Sequence, residues 1–92
     1  MSVLVYTESH QGNFKKAALE AASYGKAVAE AMGTTLTAVT FKANDASKLK
    51  EYGVDKVLNI ESINDFNAII YADAIKQAAE KENTTVVILS AS

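Results

Sequence analysis

Apolar and β-branched residues cluster into four short runs along the chain, and longer segments of helical spacing separate these runs. The runs predict strands near residues 3–6 (VLVY), 34–41 (TTLTAVTF), 57–60 (VLNI) and 84–89 (TTVVIL). A continuous apolar run such as VLVY is typical of a strand covered on both faces in a parallel sheet. Strands that alternate with helices predict parallel pairing with right-handed crossovers. We therefore predict an α/β domain with a Rossmann-like open parallel sheet, built as β-α-β-α-β-α-β.

The first crossover has the clearest helical pattern. Gly33 follows this pattern at a position where a left-handed residue commonly ends a helix. Gly25, in the middle of the apolar face, predicts a close approach to a neighbouring element, because glycine costs roughly 1 kcal/mol relative to alanine inside a helix. The predicted apolar face, with members three or four residues apart, consists of Phe14, Ala18, Ala21, Gly25, Val28 and Met32.

Two more helices are predicted, a short one through Tyr52 and a longer one that ends near Glu82. Gly53 is expected to end the short helix in the left-handed conformation. The candidate caps are Asn44 or Asp45 for the short helix and Asn64 or Asp65 for the long one. The predicted buried side of the long helix consists of Ile69, Ala72, Ile75 and Ala79.

The sequence of the fourth strand predicts that further protein segments cover this strand. Its apolar run VVIL is typical of a strand flanked on both sides and covered on both faces. In a doubly wound arrangement only the third helix covers one face of the sheet, and an uncovered apolar edge strand pairs readily with another chain. We therefore expect residues 1–92 to form a single, incomplete α/β domain, truncated from a larger one, or to self-associate through the exposed fourth strand.

Composition and charge exclude several classes of function. The net charge of -2 and pI near 5.3 give no reason to expect nucleic acid as a partner. All nine basic residues are lysines, and the lack of arginine disfavours bidentate recognition of phosphate or carboxylate. Without cysteine, and with His10 as the single histidine, no thiol catalysis, disulfide or histidine metal cluster is expected. No run is long enough to insert into a membrane, and no signal or transit peptide is seen, so we expect a cytoplasmic protein.

The loop after the first strand is the best candidate for a binding site, because ligands of open parallel sheets lie at the carboxyl ends of the strands. The hydroxyls of Thr7 and Ser9 and the backbone near Gly12 are candidates to hold a phosphate at a helix N-terminus. However, a dinucleotide fingerprint has three glycines where this loop has one, and no GKS or GKT follows. An ordinary solvated loop is therefore the favoured interpretation.

Other candidate residues lie near the same edge of the sheet. Glu8 and Glu61 follow strands, where acids often bind a ribose or a metal, but neither has a second carboxylate at motif spacing. His10 titrates in a useful range but has no fixed partner in the sequence. Ser90, Ala91 and Ser92 are small enough for close approach of a ligand at the end of the last strand. No catalytic set of nucleophile, base and acid can be assembled, so no enzyme is predicted.

The opening MSVLVYTES, followed by a glycine and FKKAALEAASYGKAVAEAMG, resembles the N-terminal domain of the electron transfer flavoprotein alpha subunit. The later segments TAVTF, GVDKVLNI and YADAIKQAAEKENTTVVILSAS are similar to the same family, so the resemblance covers all 92 residues. It implies a fold related to adenine-nucleotide hydrolases, with the first strand near the centre in the order 3-2-1-4.

The resemblance also implies a function for the parent protein. The family is heterodimeric, and its FAD takes electrons from dehydrogenases such as acyl-CoA dehydrogenase and passes them to a quinone oxidoreductase. FAD is held mostly by a separate C-terminal domain of the alpha subunit, and AMP lies in the beta subunit. No FAD residue of the family can be assigned to a position in this sequence. The resemblance therefore implies a redox-inactive scaffold that contacts the beta subunit.

Two other functions stay open at the level of sequence. One is a small adenine-nucleotide-binding module similar to universal stress proteins, with AMP between residues 7–12 and 90–92. The other is an interaction domain that dimerises through the fourth strand. Binding of nucleotides and the oligomeric state separate these functions from a flavoprotein scaffold.

Overall fold

The computed structural model describes residues 2–61 and 68–89. In chain order its elements are β1 (Ser2–Tyr6), β2 (Ser9–His10), β3 (Asn13–Phe14), α1 (Lys16–Met32), β4 (Thr35–Phe41), a 3-10 helix (Ala46–Tyr52), β5 (Lys56–Ile60), α2 (Ala68–Lys81) and β6 (Thr84–Ile88). The predicted α/β class is therefore confirmed, and the four predicted strands correspond to β1, β4, β5 and β6.

These four strands form one parallel sheet in the order β5-β4-β1-β6. Numbered as predicted strands, this order is 3-2-1-4, as the family resemblance implies. Strand β1 lies between β4 and β6, and its side chains are buried from Ser2 through Val5. The apolar run that opens the sequence is buried on both faces because helices lie on both sides of the sheet.

Each face of the sheet has its own apolar core. Val3 and Val5 of β1 pack with the alanines of α1 and with Leu49 of the 3-10 helix on the first face. Leu4 of β1 packs with Val39 and with α2 on the second face. On the first face, a Cβ added at Gly25 would lie only 3.0 Å from Cδ1 of Leu36, so the predicted close approach of α1 is confirmed.

The predicted helix ends at Gly33 and Gly53 are confirmed. Both residues are left-handed, with φ of 68° and 94°. The N–H of Thr34 donates to Ala29 O at 2.9 Å, which is the hydrogen bond of a Schellman ending. At the other end of the short helix, Asp45 occupies the cap position, but its side chain makes no capping hydrogen bond.

The segment after β1 is a hairpin, whereas the sequence pattern predicted a polar loop and placed Phe14 on the apolar face of the first helix. Strands β2 and β3 pair antiparallel, with His10 opposite Asn13, and α1 begins only at Lys16. The residues between the two strands, Gln11 and Gly12, have φ of 52° and 85°. Positive φ at both central positions characterises two-residue hairpin turns of type I′. Phe14 is partly buried against the core on the face that α1 covers (the α1-side core), so its side chain packs the hairpin onto this core.

The buried side of α2 agrees in part with the predicted one, because Ile75 and Ala79 pack on the core. Ile69 is 81% exposed and Ala72 is exposed. The residues that pack on the core are Tyr71, Ala74, Ile75, Ala78 and Ala79. Ile69 and Ala72 of the predicted face are thus replaced by Tyr71, Ala74 and Ala78, and Tyr71 stacks on Phe41. The predicted caps of this helix, Asn64 and Asp65, lie outside the described residues.

Candidate functional site

The residues after β1 lie at the carboxyl edge of the sheet, between the face covered by α1 and the face covered by α2. Thr7 is fully buried there, and both its backbone N–H and its hydroxyl donate to Val39 O, at 2.9 and 3.1 Å. The hydroxyl of Ser9 donates to Phe41 O at 2.8 Å. The hydroxyls of Thr7 and Ser9, which were the candidates to hold a phosphate, therefore hydrogen-bond this segment to β4.

The charged residues of this segment are also paired within the chain. Lys15 Nζ lies 3.4 Å from Glu8 Oε1, and the Lys15 N–H donates to Glu8 O. Lys16 Nζ lies 3.9 Å from Glu20 Oε1, one turn along α1. Partly or fully exposed ion pairs of this kind contribute at most about 1 kcal/mol. They do place a carboxylate beside each of the two lysines at the start of α1.

Gly12 lies in the turn of the hairpin, whereas α1 begins only at Lys16. Its carbonyl accepts a hydrogen bond from the N–H of Asn44 at 2.8 Å. A Cβ added at Gly12 would lie 2.3 Å from Asn44 Nδ2, so the turn packs directly on the segment that follows β4. The space beside this glycine is occupied by the chain itself.

The other predicted site residues are spread along the edge. His10 is exposed on the hairpin and Glu61 is exposed after β5. Ser90, Ala91 and Ser92 lie outside the described residues. Nucleotide binding by Thr7, Glu8, Ser9 and Gly12 together with these three residues stays a prediction.

One buried hydroxyl at the same edge lacks a partner among the described residues. Thr40 is fully buried in β4, and its Oγ1 makes no hydrogen bond there. Thr40→Val is expected to raise the free energy of unfolding by about 1 kcal/mol, because valine keeps the shape and removes the desolvated hydroxyl. Urea unfolding measures the change.

Thr7→Val is the matched control, since it removes a hydroxyl that does donate, to Val39 O. It is expected to lower the free energy of unfolding by about 0.5–1.5 kcal/mol. If Thr40→Val and Thr7→Val lowered the free energy of unfolding by the same amount, this would contradict a hydrogen bond at the Thr7 hydroxyl and none at the Thr40 hydroxyl among the described residues.

An aromatic cluster lies at the carboxyl ends of β1 and β4, on the α2 side. The rings of Phe41 and Tyr71 are stacked with centroids 3.8 Å apart, and Tyr6 meets Phe41 edge to face at 5.8 Å. Local sequence pattern does not reveal this cluster. Its members lie far apart in sequence, and the only signal was that Tyr6 and Phe41 both end predicted strands.

Burial raises the pKa of Tyr6 to about 12, with smaller contributions from the charge of Glu8 and from Tyr71. The native state therefore holds the Tyr6 proton more tightly than the unfolded chain, whose tyrosine pKa is near 10. The resulting stability is fully present below about pH 10 and is lost as the pH rises through about 12.

The raised pKa of Tyr6 predicts that the free energy of unfolding falls at alkaline pH. Between about pH 9 and 11, the free energy of unfolding of the unmodified chain is expected to fall more steeply than that of Tyr6→Phe. Urea unfolding at the two pH values measures both slopes. Tyr24→Phe, at an exposed position on α1, is the control and is expected to behave like the unmodified chain. Equal slopes for Tyr6→Phe and the unmodified chain would refute the assignment.

A shallow groove of about 540 Å³ runs between α2 and β5. Its floor contains Leu58 and Ile60, and the Asp73 and Lys81 side chains lie on its α2 wall. The described residues contain no group of three or more histidine, cysteine or acidic side chains that could bind a metal ion. Neither described α-helix combines the length and the apolar character needed to cross a membrane.

The family model of the electron transfer flavoprotein domain matches residues 3–92 of this chain. The chain belongs to the electron transfer flavoprotein family. That family is one of electron carriers and is not a class of catalytic enzymes. A search among curated proteins finds no match to the chain. The electron transfer flavoprotein domain described above thus uses its first loop hydroxyls and lysines for contacts within the domain.

Proposed function

We propose that this chain is the N-terminal part of an electron transfer flavoprotein alpha subunit, in which it acts as a scaffold and as a contact for the beta subunit. The match to the family over residues 3–92 supports this proposal. The alpha assignment is based on the resemblance of the opening strand and the first helix to that subunit. In this function the electrons pass through FAD bound elsewhere in the parent protein, from dehydrogenases to a quinone oxidoreductase.

The hydrogen bonds at the carboxyl edge are the observation that favours a scaffold over a cofactor site. The hydroxyls of Thr7 and Ser9 donate to carbonyls of β4, and the carbonyl of Gly12 accepts from Asn44. A ligand that used these groups would have to replace bonds that join the first loop to the sheet. Such exchange leaves buried groups unpaired, which costs about 1–3 kcal/mol for each group.

The uncovered apolar side chains support a role in contacts with another protein surface. Val87 in β6 and Leu89, directly after this strand, are 43% and 62% exposed. Apolar surface that is contiguous and exposed commonly marks an interaction site. In the proposed function, part of this surface is covered by the remainder of the flavoprotein.

Coexpression of the chain with an electron transfer flavoprotein beta subunit from the same organism tests the proposal. We expect the two chains to copurify, and we expect the chain purified alone to show no flavin absorbance. Failure to copurify would overturn the subunit contact, and FAD bound stoichiometrically to the chain alone would overturn the scaffold role. A thermal shift with millimolar AMP would instead support the nucleotide-binding module.

A further inference from the structure

The chain leaves β4 through a short connection to the 3-10 helix, residues 42–45, which we call the bridge segment. Its first residue, Lys42, has a left-handed φ of 50°, and the Lys42 N–H donates to Ile60 O at 3.0 Å. A left-handed φ is uncommon for a residue other than glycine, and it ends the extended conformation of the strand. The bridge segment therefore leaves the regular pairing with β5, and its backbone needs other partners.

The side-chain amide of Asn59 supplies partners for this backbone. Asn59 lies on β5, and its Oδ1 accepts from the N–H of Ala43 at 3.1 Å. Its Nδ2 donates to the carbonyl of the same alanine at 3.0 Å. Ala43 is buried, and buried backbone groups require hydrogen bonds. One side chain thus fixes the position of the bridge segment relative to β5.

The next residue of the bridge segment holds the turn of the hairpin. The N–H of Asn44 donates to Gly12 O at 2.8 Å. The Asn44 side chain packs so closely on Gly12 that an added Cβ would collide with it. The φ of 85° at Gly12 also favours glycine. The turn therefore depends on a segment whose own position depends on β5.

The base of the hairpin has separate supports. The hydroxyl of Ser9 donates to Phe41 O at 2.8 Å, which joins the base to β4. The N–H of Lys15 donates to Glu8 O at 3.4 Å, which closes the base. Because these bonds do not involve the bridge segment, the turn is the part of the hairpin that should respond to a change at β5.

We propose that Asn59 is a positioning residue for the hairpin turn and acts through the bridge segment. The turn, the bridge segment and the end of β5 then open and close as one cooperative unit. Such units open with a lower free energy than the whole domain and often consist of neighbouring motifs. Coupling of this kind is reciprocal, so a change at Gly12 is also felt at Asn59. The device does not depend on the electron-transfer role.

Amide hydrogen exchange of the whole chain, followed by NMR, tests the coupling from β5 to the hairpin. Asn59→Ala removes both hydrogen bonds to Ala43. It is expected to raise the exchange rates of the Asn44 amide and of the Asn13 amide, beside the turn, at least about tenfold. An unchanged rate at Asn13 would overturn the proposal, because the hairpin would then open without the bridge segment.

Gln77→Ala is the matched control. Its side-chain amide also makes a hydrogen bond, to Asp73 Oδ2 at 2.7 Å, but at an exposed position on α2. This variant is expected to leave the exchange rates of Asn13 and Asn44 unchanged. A rise equal to that in Asn59→Ala would show that the loss of any side-chain amide has this effect, and it would overturn the role of Asn59.

Gly12→Ala tests the coupling in the opposite direction. The added Cβ displaces Asn44, and the exchange rate of the Ala43 amide, whose acceptor is Asn59 Oδ1, is expected to rise at least about tenfold. If the loops moved independently, the effect would end at Asn44. An unchanged rate at Ala43 would therefore also overturn the proposal.

Two further amides separate this coupling from a general loss of stability. In the unmodified chain, Asn13 is expected to exchange faster than Val5 of the central strand, because it opens without unfolding of the whole domain. Thr34, at the end of α1, opens locally elsewhere and is expected to keep its rate in Asn59→Ala. An equal rise at Thr34 would overturn the proposal, as would exchange of Asn13 no faster than that of Val5.

A conservative variant keeps the test decisive if Asn59→Ala fails to fold. Asn59→Asp retains the size of the side chain and the acceptor for the Ala43 N–H, and it removes the Nδ2 donor. The same exchange rates at Asn13 and Asn44 then decide: a rise at both supports the coupling, and an unchanged rate at Asn13 overturns it.

Discussion

Phe41→Ala is expected to lower the free energy of unfolding by about 3–5 kcal/mol. Phe41 is 5% exposed at the end of β4, stacked on Tyr71 and in edge contact with Tyr6. Truncation removes both aromatic contacts and leaves a cavity between the sheet and α2. Since a domain of this kind has only about 5–15 kcal/mol of stability in total, the variant is expected to be close to unfolding.

Urea unfolding followed by circular dichroism measures this loss. Phe14→Ala is the matched control, because Phe14 is only partly buried on the hairpin and packs on the opposite face of the sheet. Its cost is expected to be clearly smaller. If the two substitutions cost the same, the aromatic cluster at the carboxyl edge contributes no more than an ordinary rim contact.

Leu4→Ala is expected to cost about 2–5 kcal/mol. Leu4 has no exposed surface and lies on the central strand of the sheet, in the core that α2 covers. Neighbours on both adjacent strands limit how far the site can collapse, so much of the removed volume is expected to remain as a cavity.

Leu89→Ala makes the same chemical change at a residue that is 62% exposed. It is expected to change the free energy of unfolding by no more than about 0.5 kcal/mol, because substitutions at exposed positions usually have small effects. A cost at Leu89 similar to that at Leu4 would contradict the described burial of the two positions.

The arrangement of the sheet could be predicted from the sequence to a large extent. Four apolar or β-branched runs separated by helical segments leave few alternatives to parallel strands with crossovers. The glycines at 33 and 53 marked helix ends correctly, since left-handed residues favour glycine and each follows a helical pattern. The strand order came from the family resemblance, because the pattern of single strands contains no information about which neighbours pair.

The first loop was less predictable. Its hairpin turn uses Gln11 and Gly12, where the strongest sequence signals for such a turn are Asn-Gly and Asp-Gly. The hairpin also depends on contacts with distant residues, such as the hydrogen bond between Gly12 and Asn44. Hydroxyls in a polar loop look equally suited to a phosphate or to a backbone carbonyl. Only the position of β4 decides that Thr7 and Ser9 donate to carbonyls.

Local pattern and residue type were enough to predict the α/β class, the four strands of the parallel sheet, the helix ends at glycine and the apolar, uncharged character of the last of these strands. These features depend on local pattern and on residue type, which each segment carries with it. Contacts between distant segments decided that Tyr71, and not Ile69, lies on the buried side of α2, because the helix offers two adjacent apolar faces and the one with Tyr71 meets Phe41. The tertiary structure also decided that the segment after β1 folds as a hairpin whose hydroxyls donate to β4, since these contacts join segments far apart in the chain.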